Sequence, residues 1–485
     1  MAVSSATPAD EPVAPTRADP LARDWSEGIG GPPGRHHRPH TWWTPLRVIL
    51  ALATVVAALS LVQKAPCVQT QWSDAGVRYS RMCYSDVPYL YTGRGLAERV
   101  WPYTDSAGEA ARYPAMEYPV VISYVAWATA LALEPVAPGP SEQVRAQTSV
   151  DGLFGLPGMA REVNAYFLLT AIVLLAAALG TTYLLAGVHR RRPWDALPFA
   201  LSPVLLVTGL VNWDLLAVVA VAGALWAWAR GRPVLTGVLI GLGTATKLYP
   251  LFLLGGVLVI CLRRRDWPTL ARVVAGAAAS WLVLNLPALL SSADRWKVFW
   301  TFNSDRGPDL GSLWLAASLL GHPVSAQTLN LASGVLFVLG CLAVLVLGLR
   351  APRTPRLAQL AFLVVAAFLL VNKVYSPQYV LWLLPLAVLA RPRWRDLLIW
   401  QAGELVYFAA VWLYLDQTTA SATTGAPDPL YLVAIAVRVL AEIYLVAVVV
   451  RDVLEPEHDP VAEERDAEPV VSTSSLAGAR SASTT

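Results

Sequence analysis

Asp86 stands in the one long stretch of the sequence that is neither apolar nor at a terminus, and its carboxylate is the first group to consider for chemistry. The polar stretch covers residues 63–164, and its segment 83–91 combines Asp86 with a serine and several tyrosines, among them Tyr89. A carboxylate beside a substrate hydroxyl can remove the hydroxyl proton as a general base.

Other charged and polar side chains stand next to apolar runs, where an ionisable group is costly unless it faces a polar cavity or a partner. A lysine at a helix end often only extends to the membrane interface, so no single residue is diagnostic. What indicates a site is that all of them are predicted on the same side of the membrane as Asp86. The groups are Arg94, Glu117, Asn212, Asp214, Lys247, Tyr249, Arg306, Asp309, Lys373, Tyr375 and Gln378.

The composition indicates a polytopic α-helical membrane protein. Of the 485 residues, 55% are hydrophobic and 15% are charged, which is too apolar for a soluble protein and too long for one span. The basic residues form short runs between apolar segments rather than one basic face. Nothing in the sequence therefore indicates a nucleic-acid partner.

The chain divides into a membrane domain, residues 44–451, and two polar tails, residues 1–43 and 452–485. Both tails are predicted to be disordered and cytoplasmic, because they contain little that could be buried. The first apolar run follows more than 40 polar residues, so it is predicted to be a retained signal anchor rather than a cleaved signal peptide.

About twelve apolar runs are candidate transmembrane helices, although several are short and bounded by proline. These runs are 44–62, 164–188, 195–210, 212–229, 233–247, 249–263, 268–290, 328–349, 357–372, 378–390, 397–415 and 430–450.

Arginine clusters orient these spans, because basic connections are retained in the cytoplasm. Alternate connections carry such clusters, so the remaining connections, including the long loop 63–163, are predicted to be extracytoplasmic. Both termini then lie in the cytoplasm, which requires an even number of spans. The clusters are at 190–192, 230–232, 263–265, 350–356 and 391–395.

The apolar segment 118–133 conflicts with this topology if it spans the membrane, because it would place the cluster 190–192 outside. We therefore predict that it is a helix lying in the outer membrane interface, within the long loop. A true span, paired with another that the count misses, is the alternative.

Pro250 and Pro377 each follow a polar cluster at a predicted helix end. Proline interrupts a helix and frees backbone carbonyls, and broken helices occur at membrane depth where they line a cavity. A plain tight turn between two spans fits the same sequence, and both interpretations stay open.

Four cysteines and one charge pair are expected to serve structure. Cys67 and Cys83 share the outer loop, where a disulfide is permitted, and they are either bridged or unpaired. Cys261 and Cys341 lie in apolar helices and are predicted core residues.

Arg438 and Glu442 are four residues apart on one predicted helix, and Glu404 lies on the preceding span. This spacing places Arg438 and Glu442 on one helix face. We favour a structural ion pair, which Glu404 could join, over a catalytic role.

Six segments together resemble a known family: 83–86, 117–119, 212–214, 241–250, 306–314 and 372–379. The chain resembles the membrane glycosyltransferases of the GT-C superfamily, which use lipid-phosphosugar donors. It is most similar to glycosyltransferase family 87, the polyprenyl-phosphate-mannose-dependent mannosyltransferases. The resemblance runs from about residue 44 to residue 450, and its most specific segments read Lys-Leu-Tyr-Pro and Asn-Lys-Val-Tyr-Ser-Pro-Gln-Tyr.

The resemblance implies a GT-C-like, all-α fold whose first extracytoplasmic loop holds the catalytic aspartate and two interfacial helices. Asp74 and Asp86 both lie in the appropriate region. The surroundings of Asp86 match better, so Asp86 is preferred and Asp74 is held in reserve.

The implied activity is inverting transfer of a sugar, with mannose favoured, from a polyprenyl-phosphate donor to a hydroxyl of a cell-envelope glycolipid or glycan. The active site would face the outside of the cell membrane, and neither cofactor nor metal is implied. Asp86 would be the catalytic base, and Arg306, Lys373 and Lys247 would bind the donor phosphate. The residues implied to bind substrate are Tyr89, Glu117, Asn212, Asp214, Tyr249, Asp309, Tyr375 and Gln378.

Three alternatives remain on sequence grounds. The same enzyme class could use polyprenyl-phosphate arabinofuranose as donor. A lipid or solute transporter is less favoured, because the sequence shows no convincing internal repeat and its polar groups share one side. A non-catalytic scaffold is kept because resemblance in fold does not establish activity.

Overall fold

The apolar runs fold into α-helices, and no strand occurs in the part of the chain that this computed structural model describes, residues 12–30, 40–137, 139–420 and 428–462. The predicted all-α class is confirmed. The helices of these residues are α1 Pro15–Ala18, α2 Pro20–Gly30, α3 Pro45–Gln69, α4 Ala75–Ser80, α5 Asp86–Gly93, α6 Ala107–Arg112, α7 Val120–Leu133, α8 Glu142–Gln147, α9 Met159–Ala186, α10 Leu197–Ala200, α11 Pro203–Thr208, α12 Leu215–Ala229, α13 Pro233–Thr246, α14 Leu253–Arg264, α15 Trp267–Ser291, α16 Ala293–Asp305, α17 Leu313–Leu319, α18 Ala326–Arg350, α19 Leu357–Val371, α20 Val380–Ala390, α21 Trp394–Ala420 and α22 Pro429–Leu454. Short 3-10 turns occur at Leu96–Glu98, Val150–Gly155, Pro193–Ala196, Tyr249–Phe252, Pro377–Tyr379 and Pro456–His458.

Within the described residues, six helices are long and apolar enough to cross a membrane: α3, α9, α15, α18, α21 and α22. Five shorter apolar helices, of 10–17 residues, accompany them: Val120–Leu133, Leu215–Ala229, Pro233–Thr246, Leu357–Val371 and Pro377–Ala390. By length and composition these helices indicate a membrane protein, while the predicted number of about twelve spans and the interfacial position of α7 stay predictions.

The helices run between two opposite ends of one bundle. At one end, Arg230 after α12 donates to the carbonyl of Gly187 after α9 (2.7 Å), and Arg263 of α14 donates to that of Gly348 in α18 (2.9 Å). We call this the arginine end. At the other, the Asp86 end, the amide of Asp86 donates to the carbonyl of Val211 (2.8 Å).

Both described chain ends lie at the arginine end. The amide of Trp394, which begins α21, donates to the carboxylate of Asp19 (2.9 Å), and Arg192 donates to the carbonyl of Pro460 (2.9 Å). This arrangement agrees with an even number of passes. Of the two predicted tails, residues 1–11, 31–39 and 463–485 lie outside the described residues.

Helices α13 and α15 cross with their backbones in close contact. A Cβ on Gly237 would collide with the carbonyl oxygen of Val273, and one on Gly241 would collide with that of Ala277. Small residues at a helix crossing permit such close approach in membranes. The crossing fixes the position of the C-terminal end of α13, where Lys247 follows.

A disulfide joins Cys67 at the end of α3 to Cys83 just before α5. Nearby, the ammonium of Lys64 donates to the carbonyl of Tyr84 (2.9 Å), and the amide of Gln63 donates to that of Met82 (2.6 Å). The segment that leads into Asp86 is therefore attached to the first long helix by one covalent bond and two hydrogen bonds.

Replacing Cys83 with alanine is expected to lower the free energy of unfolding by about 3 kcal/mol, because a bridge across a 16-residue separation restricts the unfolded chain. The measurement is thermal unfolding of the purified protein with and without a thiol reductant. Reduction should bring the wild type close to the variant and leave the variant unchanged. Cys261→Ala, at a free buried cysteine, is the control and should keep the sensitivity to reductant. A wild type that does not respond to reductant would contradict this result.

Candidate functional site

Asp86 occupies the first turn of α5, where the helix dipole favours a negative charge. The preceding Ser85 caps the helix by accepting from the amide of Val87, and its hydroxyl also donates to the carbonyl of Val211 (3.1 Å). Because Asn212 follows Val211 directly, this contact brings the polar residues before α12 to Asp86.

The Asp86 carboxylate accepts hydrogen bonds from the Tyr118 hydroxyl (3.2 Å) and the Asn212 amide (3.3 Å). It is only partly exposed. Burial raises the pKa of Asp86 above its ordinary value, while hydrogen bonds from Tyr84, Asn212 and Tyr118 and the charge of Lys247 oppose that rise. The carboxylate is thus a stronger base than a free aspartate, and it is held by neutral donors rather than by an ion pair.

Lys247 approaches the same tyrosine from α13. Its ammonium lies 4.7 Å from the centre of the Tyr118 ring and 3.5 Å from Oδ1 of Asp214. Asp214 Oδ1 also accepts from the indole of Trp382 (2.7 Å), whereas its buried Oδ2 has no partner among the described residues. Tyr118 therefore has the carboxylate of Asp86 at its hydroxyl and a cation against its ring.

Aromatic rings extend the site away from Asp214. Tyr249 and Tyr379 each stack on Trp382, with ring centres 4.7 and 4.0 Å away. The Tyr249 hydroxyl is buried and has no partner in the described part of the chain. Tyr379 interacts electrostatically with Asp86 and Asp214, and also with Arg306 and Asp309. Tyr379 thus interacts with two groups of charged residues. The first, which we call the Asp86 group, consists of Asp86, Tyr118, Asn212, Lys247 and Asp214.

The second group consists of Arg306, Asp309 and Lys373. Arg306 pairs with Asp309 (2.5 Å), and the amide of Asp309 donates to the carbonyl of Lys373 (2.9 Å). The Lys373 ammonium donates to Asn330 (2.6 Å). Burial, followed by the charge of Arg306, lowers the pKa of Lys373, while Asp305 opposes the shift. Two cations close enough to disfavour each other are suited to binding an anion.

Pro250 and Pro377 each lie in the first two positions of a 3-10 turn, where proline is favoured because its missing amide hydrogen is not needed. Lys247 is extended between α13 and the 3-10 turn that begins at Tyr249. Residues 372–376 similarly separate α19 from the turn that begins at Pro377. The polar clusters thus lie in breaks between helices, where their side chains reach the site.

Four of the predicted substrate-binding residues have other neighbours. Glu117 forms a two-point ion pair with Arg94 (2.7 and 3.1 Å). Tyr89 donates to the carbonyl of Trp72 (3.2 Å), and Gln378 is buried. Tyr375 donates to Glu404 (2.9 Å) and belongs to a separate network.

That network packs against the loops that carry the second charged group. Arg438 pairs with Glu442 (2.9 Å) and lies 3.7 Å from the centre of the Tyr375 ring. It also donates to the carbonyl of Gly311 (3.4 Å), whose amide donates to the Tyr431 hydroxyl (2.8 Å). The predicted structural pair is thus present, and its contacts hold the segment that follows Asp309.

Gly311 itself cannot carry a side chain without displacement. Its φ is +70°, and a Cβ there would collide with the Tyr407 hydroxyl and the carbonyl oxygen of Tyr375. This position requires glycine because the two loops of the second group meet at their backbones.

Sequence reasoning missed Tyr118 and Trp382 as members of the site. Tyr118 stands inside the segment 117–119 and could have been chosen beside Glu117. Trp382 stands within a run of apolar residues, and nothing in its local pattern distinguishes it from a core residue.

No curated protein matches the chain. The model of glycosyltransferase family 87 matches residues 153–372. The matched range contains Asn212, Asp214, Lys247 and Arg306, while Asp86 and Tyr118 precede it. The match agrees with the motifs that resemble this family, so over residues 153–372 the chain is similar to glycosyltransferase family 87.

Proposed function

We propose that this glycosyltransferase moves a sugar, mannose, from a polyprenyl-phosphate donor to a hydroxyl of a cell-envelope glycolipid or glycan. The match to glycosyltransferase family 87 over residues 153–372 supports sugar transfer. The observation that carries the proposal is the partly exposed Asp86 carboxylate, which shares Tyr118 with the cation of Lys247. A base at the hydroxyl of Tyr118 and a cation against its ring suit a reaction that moves a proton and releases an anion.

In the proposed reaction, Asp86 takes the proton of the acceptor hydroxyl as its oxygen attacks the anomeric carbon. The bond between that carbon and the donor phosphate oxygen breaks, and the phosphate leaves with the electron pair. Attack from the face opposite the phosphate inverts the anomeric configuration, so a β-linked donor gives an α-linked product. The raised pKa of Asp86 improves it as a base.

The leaving phosphate needs cations already in place. Lys247 contacts the ring of Tyr118, whose hydroxyl bonds to Asp86, while Arg306 and Lys373 belong to the second charged group. On donor binding, Arg306 would release Asp309 and bind two phosphate oxygens instead. The planar guanidinium can donate two parallel hydrogen bonds to such a pair of oxygens. We assign the three cations to the donor phosphate.

An aromatic cleft adjoins Tyr118; its volume of about 10 Å³ is too small to enclose a sugar, and we propose that its walls contact the lipid chain of the donor. Trp281, Trp296 and Trp300 line it, and Leu248, which follows Lys247, completes the side nearest the cation. Placing the lipid here would leave its phosphate beside Lys247 and its remaining chain in the bilayer.

We place the site on the extracytoplasmic face, in the cell membrane with both termini cytoplasmic. The support is the distribution of basic residues, since the arginine clusters occupy the end of the bundle opposite Asp86.

The deciding experiment incubates membranes that contain the full-length chain with radiolabelled polyprenyl-phosphate mannose and, separately, polyprenyl-phosphate arabinofuranose. Mannose transfer to an endogenous or added acceptor is expected, with membranes lacking the protein as the control. Transfer from the arabinose donor alone would change the donor. Absence of transfer from both, with solute or lipid flux in proteoliposomes, would replace the enzyme by a transporter.

Replacing Tyr118 with phenylalanine is expected to move the acidic limb of the rate–pH profile to higher pH. Activity requires the ionised Asp86, so the rate falls as pH drops through the pKa of that carboxyl. Loss of the Tyr118 hydrogen bond raises this pKa further, because the bond stabilises the charged form. The rate–pH profiles of both proteins at saturating donor provide the test. Tyr124→Phe, a ring outside the Asp86 group, is the control, and a limb displaced to lower pH would contradict the assignment.

A further inference from the structure

A cavity of about 240 Å³ opens at the arginine end, opposite the Asp86 site. Four separate chain segments contribute arginines to its wall: the connection after α9, the end of α12, the end of α14 and the connection before α19. The basic residues that line it are His189, Arg190, Arg191, Arg230, Arg264 and Arg356.

Two of these basic residues already have carboxylate partners. Arg356 pairs with Asp459 (2.8 Å), and His189 lies 3.2 Å from Asp195. Arg190, Arg191, Arg230 and Arg264 form no ion pair with a carboxylate in the described part of the chain, which leaves a surplus of positive charge at the cavity.

Local contacts show that this surplus is costly. Burial and the charges of Arg190 and Arg232 lower the pKa of Arg230. The buried Nε of Arg191 has no hydrogen-bond partner among the described residues. A bound anion would offset the repulsion among the arginines and would accept a hydrogen bond from the unpaired Nε of Arg191.

Topology alone does not require this arrangement. Basic connections on one side of a membrane orient the spans wherever they point. Arg265 serves that purpose while exposed and outside the cavity wall, directly beside Arg264, which lines it. The convergence of four segments on one cavity therefore needs a second explanation.

We propose that this cavity binds a phosphate group, carried by an anionic lipid headgroup or free in solution. Guanidinium groups match phosphate oxygens in fork geometry. The cavity is smaller than the roughly 300–1,000 Å³ of sites for drug-sized ligands, which favours a compact anion. Leu225 and Ile260 line the same cavity and offer apolar contact to glycerol or acyl carbons. Basic pockets between membrane helices bind lipid headgroups in this manner.

The test uses the purified full-length protein in neutral detergent and follows thermal unfolding through its 19 tryptophans. One arm adds inorganic phosphate against sodium chloride of equal ionic strength. The other adds dihexanoyl phosphatidic acid against dihexanoylglycerol, which has the same chains without the phosphate. Saturable stabilisation by phosphate identifies a free anion, and stabilisation by phosphatidic acid alone identifies a lipid headgroup.

The double variant Arg190→Gln/Arg264→Gln is expected to weaken the apparent affinity at least about tenfold, while Arg265→Gln keeps the wild-type response. Arg190 and Arg264 are exposed, so the variant should fold, and Arg190→Gln alone is the second variant if it does not. Stabilisation by neither probe, or an equal response in all proteins, would overturn the proposal.

Discussion

Asp86→Asn is expected to lower the rate of sugar transfer by about 10²–10⁴-fold, because the acceptor hydroxyl loses the base that takes its proton. The substitution keeps the shape of the side chain and an oxygen that accepts from Tyr118 and Asn212. Its backbone bond to Val211 does not involve the side chain. Folding should therefore be retained, and the measurements are the rate at saturating donor and acceptor and the unfolding temperature.

The matched control is Asp74→Asn. The Asp74 carboxylate is exposed and caps α4 by accepting from the amides of Gly76 and Val77. Asparagine caps helices equally well, so this variant should keep both its stability and its activity. Full activity of Asp86→Asn together with loss in Asp74→Asn would transfer the role of base to Asp74.

Arg438→Met is expected to lower the free energy of unfolding by about 3–5 kcal/mol, because it leaves a buried carboxylate without its partner. Arg438 and Glu442 are both buried, and Glu404 lies beside them on Tyr375. The change should also weaken use of the donor, since Arg438 contacts the carbonyl of Gly311 behind Asp309. Thermal unfolding and the donor KM are the two readouts.

A double variant separates the ion pair from simple loss of volume. Adding Glu442→Leu to Arg438→Met removes the unpaired charge and should restore part of the lost stability. Arg395→Gln is the surface control: Arg395 is 70% exposed, and its buried partner Asp396 keeps its ion pair with Arg391, so little stability should be lost. Equal losses at Arg438 and Arg395, or a double variant less stable than Arg438→Met, would contradict the network.

Much of the Asp86 group could be predicted from the sequence, although its members are far apart in it. Asn212 and Lys247 each stand at the end of an apolar run, and alternation of the runs places those ends on one side. The structure brings both to Tyr118 beside Asp86. The family resemblance, which depends on these segments, is confirmed as well.

The remaining contacts follow from tertiary packing that no local pattern records. Arg438 and Glu442 were predictable because four residues make one helical turn. Arg94 at the end of α5 pairs with Glu117 before α7, and Arg145 of α8 pairs with Glu162 of α9. Because each pair joins two separate elements, no periodicity in the sequence predicts it. The sequence likewise did not decide whether Cys67 and Cys83 are bridged, because two cysteines in one loop do not reveal how the chain folds between them.

The crossing of α13 and α15 limits how this protein can vary. A Cβ at Gly237 or Gly241 would collide first with a backbone carbonyl, and one at Gly241 also with Cβ of Ser280, so a smaller neighbouring side chain could not remove the collision. Evolution therefore cannot replace either glycine with a residue that has a Cβ, although neither glycine contacts a charged group. The position of Lys247 therefore depends on Gly237 and Gly241, two residues that have no side chain.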